Sequence, residues 1–143
     1  MEAKSLTIHS TANKYSTAQN ERDNLVRVAN TRQASFHIVV DEREAIECIP
    51  LDEVSWHATD GYYGTGNRTS ISMEICESGN RWKTVDNAST VAATILKSRG
   101  WGIDRLKRHY DWSMKLCPGI FTANGWKEWN DFKIAVDRKL REV

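Results

Sequence analysis

Ser5-Leu6-Thr7-Ile8-His9-Ser10-Thr11 alternates along its length: Leu6 and Ile8 fall on one face, Thr7 and His9 on the other. That period of two is the signature of a half-buried strand. Ser70 to Cys76 alternates in the same way, with Ile71, Met73 and Ile75 against Ser70, Ser72, Glu74 and Cys76. Phe36-His37-Ile38-Val39-Val40 is a short apolar, β-branched run that reads as a buried central strand. Ala45 to Ile49 reads as its antiparallel partner across a turn at Asp41–Glu44, and Leu106 to His109 as a further short strand, followed by an irregular stretch through Pro118. Between these strands the period lengthens. Thr17 to Asn30 places Leu25, Val28 and Ala29 on one helical face, with a Ser or Thr available as cap. Ala88, Val91, Ala92, Ile95 and Leu96 form a helical stripe, with Gly100 where a C-cap glycine belongs. Lys127 to Arg141 buries Trp129, Phe132, Val136 and Leu140. The expectation is an α/β fold: a single domain over residues 1–143, with a central mixed β-sheet flanked by about three α-helices.

Composition narrows the function classes. Hydrophobic residues at 40% and charged residues at 27% are ordinary for a globular domain. A formal net charge of +1 offers no electrostatic footprint for nucleic acid, which is not expected as a partner. No apolar run of about eighteen residues exists to span a membrane, and no signal peptide is visible behind Met1-Glu2-Ala3-Lys4-Ser5. The expected product is a monomer made in the cytoplasm, with no membrane partner. The cysteines Cys48, Cys76 and Cys117 are odd in number and lack framework spacing, so a disulfide scaffold is not expected. Cys48 and Cys76 read as small buried apolar residues. The six tryptophans read equally as large core residues or, for some of them, as a surface that stacks on sugars.

The polar residues of the strands carry the chemistry. His9 and Glu74 project from the non-apolar faces, His109 ends a strand, and Cys117 follows as His-x7-Cys. Two histidines and a thiolate are a sensible three-ligand set for zinc that leaves the fourth position open, the mark of a catalytic site. Spacing alone leaves the alternative of hydrogen-bonded strand histidines standing. The glycine-rich loop from Trp56 to Arg68 is long enough to read as functional.

The order Thr-Ile-His, Ser-Phe-His-Ile-Val-Val-Asp, Trp-His-Ala, Gly-Asn-Arg-x-Ser-Ile-Ser-x-Glu-Ile-Cys and His-Tyr-Asp-Trp-Ser-x-Lys-x-Cys-Pro resembles the type 2 N-acetylmuramoyl-L-alanine amidases. That family comprises phage endolysins and bacterial autolysins, with animal peptidoglycan recognition proteins as more distant relatives. The similarity runs from about Leu6 to the final helix, and its last block is the most specific.

The resemblance implies one Zn2+ held by His9, His109 and Cys117, with Glu74 as catalytic acid–base and Lys115 stabilising the reacting carbonyl. Where some relatives carry a catalytic tyrosine this chain has Phe36, which cannot move a proton. The implied substrate is bacterial peptidoglycan, cut at the amide between N-acetylmuramic acid and L-alanine. His37, Trp56, His57, Asn67 and Trp112 are expected to line the groove for muramic acid and stem peptide. His57 is equally read as structural, and Asn67 as a turn residue. Many relatives have Gly where Met114 stands and a basic residue or His at Gly119. The expected site of action is the cell wall, reached by holin-type release, lysis or other export, and no wall-binding domain is expected within the chain. The readings from other classes are a non-catalytic peptidoglycan-binding module, which retains no hydrolysis, and a glycosidase, for which no motif supplies the second carboxylate. A metallopeptidase acting within the stem peptide is set aside through the family resemblance alone.

Overall fold

The computed structural model describes residues 1–28 and 34–142. A single mixed sheet contains β1 (Ser5–Ser10), β2 (Ile38–Val40), β3 (Ala45–Glu47), β4 (Ser70–Ile75) and β5 (Leu106–Arg108), in the order β3-β2-β4-β1-β5. β1 runs parallel to β4 and β5, β2 runs parallel to β4, and β3 pairs antiparallel with β2 across the turn at Asp41–Glu44. The three long helices match the expected ones: α1 (Ala18–Val28), α3 (Arg81–Ser98) and α5 (Ala123–Arg141). The short helices α2 (Thr65–Thr69) and α4 (Tyr110–Ser113) lie in stretches that read as loop, because neither is long enough to express a helical period.

β1 is fully enclosed rather than half-buried: every residue from Ser5 to His9 is buried. Parallel neighbours on both edges require crossover connections, and these put cover on both faces. The alternation in β1 and β4 therefore separates an apolar core from a buried polar layer, not core from solvent. On the apolar side Leu6, Ile8, Ile71, Met73 and Ile75 pack against Ala88, Ala92 and Leu96 of α3 and Trp129, Phe132 and Val136 of α5. Asn80 caps α3 by accepting from the Lys83 N–H, and Gly100 follows its end at φ +68°, a conformation that glycine adopts at little steric cost. Leu140 is only partly buried against this core.

On the polar side α1 packs through Ala18 against Val39 and Cys76. Thr17 and Asn20 cap the helix reciprocally, each side chain accepting the other's backbone N–H. The expected continuation of α1 to Asn30, including Ala29 and the side chain of Val28, lies outside the described residues. Cys48 and Cys76 stay free, at opposite ends of β2: the Cys48 N–H bonds the His37 carbonyl and the Cys76 N–H bonds that of Val40. No helix among the described residues is long and apolar enough to cross a membrane.

Phe132 is 2% exposed and forms a cluster with the rings of Phe121 and Trp129, at centroid distances of 5.1 and 5.9 Å. Phe132→Ala is expected to lower the unfolding free energy by about 3–5 kcal/mol in a denaturant titration, as lost burial and a residual cavity combine.

Candidate metal centre

The parallel register of β1 and β4 sets His9 directly opposite Glu74. β5 runs on the other edge of β1, and the backbone N–H of His109, just past its end, bonds the Ile8 carbonyl. The chain then turns through α4, passes Met114 in the left-handed region, and returns so that the Cys117 carbonyl accepts from the Tyr110 N–H. His9 Nδ1, His109 Nδ1 and Cys117 Sγ thereby lie within 4.8 Å of one another, all three residues buried.

The separations fit a shared cation. His9 Nδ1 is 3.1 Å from His109 Nδ1 and 3.7 Å from Cys117 Sγ. Nitrogen at about 2.0–2.1 Å and sulfur at about 2.3 Å around one tetrahedral zinc stand roughly 3.3–3.6 Å apart. Glu74 Oε2 is buried and has no hydrogen-bond partner among the described residues, an orphaned acceptor beside the donor cluster.

Burial dominates the electrostatics. It drives the His9 pKa well below the ordinary histidine value, with the nearby charges of His57, His109 and Lys115 acting in the same direction. His109 falls to about 4 and His57 to about 3, each chiefly through burial, so all three rings are neutral near pH 7. Burial pushes the Cys117 thiol up to about 11, so its thiolate at neutral pH calls for a cation within bonding distance. Glu74 rises to about 8, through burial first and the Glu21 carboxylate second, while Lys115 opposes the rise.

Residues 1–120 match the family described as N-acetylmuramoyl-L-alanine amidase. The chain belongs to this family. Among its relatives in Bacillus subtilis, the N-acetylmuramoyl-L-alanine amidase XlyB is 42% identical over 98% of this chain and 44% of its own length. The corresponding figures for CwlA are 42% identity, 100% of this chain and 52% of the relative. The chain thus spans about half the length of these amidases. The catalytic domain of XlyA superposes with a TM-score of 0.84 at 32% identity, covering 94% of this chain and 86% of that one. The PlyG catalytic domain gives 0.86 at 36% identity, covering 100% and 86%.

In this amidase-family chain a groove of about 390 Å³ brings together His9, Glu74, His109, Lys115 and Cys117 with Phe36, Trp56 and His57. Lys115 is exposed at its edge, and Phe36 presents a ring without a hydroxyl. Glu21, Asn24 and Leu25 of α1 also face the groove, as does Thr59. Sequence reading missed these because the α1 residues stand about fifty positions from Glu74 and no local motif marks them. Met114 sits at φ +63°, which costs a non-glycine residue about 1–2 kcal/mol. At Gly119 the nearest non-neighbouring atom to an added Cβ would be Ser10 Oγ at 3.8 Å, so the groove edge has room for a side chain.

Three residues expected in the groove lie outside it. His37 is fully buried: its Nε2–H donates to the Glu53 carbonyl at 2.7 Å and its Nδ1 accepts from the Ser72 N–H at 3.0 Å, pinning β2 to β4. Trp112 donates from Nε1 to Thr7 Oγ1 and packs so tightly under Gly66 that a Cβ there would stand 2.7 Å from its ring. Asn67 is fully buried and holds the loop after β3 from within. Its Oδ1 accepts from the His57 and Ala58 N–H groups, both at 2.7 Å, and its Nδ2 donates to the Gly61 carbonyl at 3.1 Å. Their hydrogen bonds tie them into the buried polar layer beneath the groove.

Asn67→Ala strands the two buried N–H groups it serves. At about 1–3 kcal/mol for each unpaired buried donor, a loss of roughly 2–6 kcal/mol in unfolding free energy is expected by denaturant titration.

Proposed function

We propose that this chain hydrolyses the amide between N-acetylmuramic acid and L-alanine in bacterial peptidoglycan, with one zinc ion held by His9, His109 and Cys117. The observation that carries the reading is the convergence of those three donor atoms within 4.8 Å on a groove that also receives Glu74 and Lys115, in a chain of this family. The names of XlyB and CwlA support the choice of bond.

Bound there, zinc supplies Lewis acidity, polarising a carbonyl and bringing the pKa of water towards about 7. Glu74 takes a proton from the attacking water and delivers it to the alanine nitrogen as the C–N bond breaks. Burial raises the proton affinity of Glu74 while the charge of a bound cation would lower it, a balance suited to a group that takes a proton and passes it on. Lys115 places an ammonium at the groove edge, where it offsets the charge gathering on the carbonyl oxygen. Trp56, Phe36 and Leu116 give the groove apolar walls that hold the lactyl and alanyl groups and keep bulk water away. The site of action is the bacterial cell wall, reached after release or export.

Digestion of purified cell wall should liberate free L-alanine amino termini without new reducing sugars. Reducing ends rising in step with the fall in turbidity would identify a glycosidase instead. Chelation should stop the reaction and zinc restore it, while Cys117→Ser should weaken zinc binding because a neutral hydroxyl replaces a thiolate.

Glu74→Gln keeps the size of the side chain but cannot accept a proton. Zinc content and folding should persist while turnover falls by about 10²–10⁴-fold, the usual worth of a positioned acid–base group. Bound zinc and lysis rate measured on one preparation decide the matter. Full zinc with near-normal lysis would remove Glu74 from the reaction.

A further inference from the structure

Both candidate ligand histidines turn Nδ1 towards the cluster, so each has Nε2 directed outward. The same short segment meets both outward nitrogens. His57 Nδ1 lies 3.0 Å from His9 Nε2, and the Thr59 hydroxyl is in hydrogen-bond contact with His109 Nε2.

Hydrogen-bond direction along the first contact is determined. His57 Nε2 lies 3.1 Å from the Ser70 carbonyl, which can only accept, so His57 carries its proton on Nε2. A neutral His57 then has a bare Nδ1 that can only accept, and His9 must donate from Nε2–H. His9 Nδ1 is left with its lone pair free, the form a metal ligand needs. At His109 the hydroxyl of Thr59 accepts from Nε2–H once a cation takes up both Nδ1 lone pairs, which otherwise face each other at 3.1 Å.

The segment is held against its own backbone preference. Thr59 is β-branched yet sits at φ +55°, where such residues are seldom found. The restraint comes from beneath: Asn67 Oδ1 takes the N–H groups of His57 and Ala58, and the Asp60 carboxylate takes those of Gly66 and Asn67. Gly66 closes the arrangement, since a Cβ there would stand 2.6 Å from that of Ala58.

We propose that His57–Thr59 is an orienting collar for the metal centre, in which His57 fixes the tautomer of His9 and the Thr59 hydroxyl receives His109 Nε2–H when a cation is bound. The proposal rests on reading His9, His109 and Cys117 as zinc ligands. It makes His57 and Thr59 positioning residues rather than substrate contacts, and gives the strained backbone at Thr59 a purpose. The collar raises metal affinity by removing the His9 tautomer in which Nδ1 is protonated and by giving His109 Nε2–H an acceptor in the metal-bound state.

The test reads the histidines and the metal separately. Nitrogen-15 spectra of the metal-free chain should show His9 as the Nε2–H tautomer, and His57→Ala should turn it into a mixture. Zinc affinity, measured by competition with a chromophoric chelator, should fall about 10–100-fold in His57→Ala and in Thr59→Gly, the usual effect of losing such an outer partner. His57→Asn, whose amide oxygen takes the place of Nδ1, and Thr59→Ser, which keeps the hydroxyl, should remain within about threefold of the parent. Thr59→Gly relieves the left-handed backbone, so its metal-free thermal midpoint should hold or rise while its zinc affinity falls. A merely structural threonine would not separate the two readouts. Zinc affinity unchanged in Thr59→Gly and His57→Ala, or His9 found as Nδ1–H in the parent chain, overturns the collar. If His57→Ala does not fold, the Thr59 pair decides alone. A parent chain that binds no zinc, with His9 still Nε2–H, overturns the metal reading instead.

Discussion

Both nitrogens of His9 are spoken for, and the rest of the polar side is arranged around that. The ring rises from a strand that has parallel neighbours on each edge and lies 3% exposed, with Nε2 against His57 and Nδ1 facing His109 and Cys117. A buried imidazole in that position tolerates neither solvent nor an unpaired proton. Carbonyl, neutral rings and thiol therefore have to agree on where each hydrogen sits. The agreement extends through Asn67 and Asp60 into the loop, so the loop's shape follows from the hydrogen bonding of a strand residue.

The two faces of the sheet divide the work. Leu6, Ile8, Ile71, Met73 and Ile75 supply burial against α3 and α5, where the stabilisation is non-directional and scales with area. Ser5, Thr7, Ser70 and Ser72 on the opposite face are also buried, but bond one another and their surroundings, as in Ser5 to Ser70 at 2.8 Å and Ser55 to Ser72 at 2.9 Å. Directional bonds of this kind specify geometry, and geometry is what a cluster of donors requires. An apolar layer there would serve stability equally and position nothing.

Much of this was legible in the residue pattern. The alternation in Ser5–Thr11 and Ser70–Cys76 located β1 and β4 and placed His9 and Glu74 on one face, because a period of two survives any tertiary context. The stripe from Ala88 to Leu96 and the run from Trp129 to Val136 marked the helices of the core for the same reason. The donor set His9, His109 and Cys117 came from the family resemblance, since contacts between residues this far apart leave no local trace. His37, Asn67 and Trp112 stand behind the groove rather than along it, bonding within a buried layer that period-two alternation cannot distinguish from solvent. Thr59 left no signal: its hydroxyl acts only because the backbone takes a conformation that threonine seldom adopts.

The separation of His9 and His109 in the chain, 100 residues, has a thermodynamic side. Any group that binds both closes a loop of most of the domain, from its first strand to just past its last. In the chain-entropy picture a covalent bridge across about 100 residues contributes roughly 4.7 kcal/mol by restricting the unfolded ensemble. A coordinating ion is a reversible counterpart of such a bridge, and its contribution grows with its free concentration relative to its dissociation constant. If the proposed ion occupies the site, the donors that organise the groove would also be the clasp of the fold, coupling its stability to the metal supply around it.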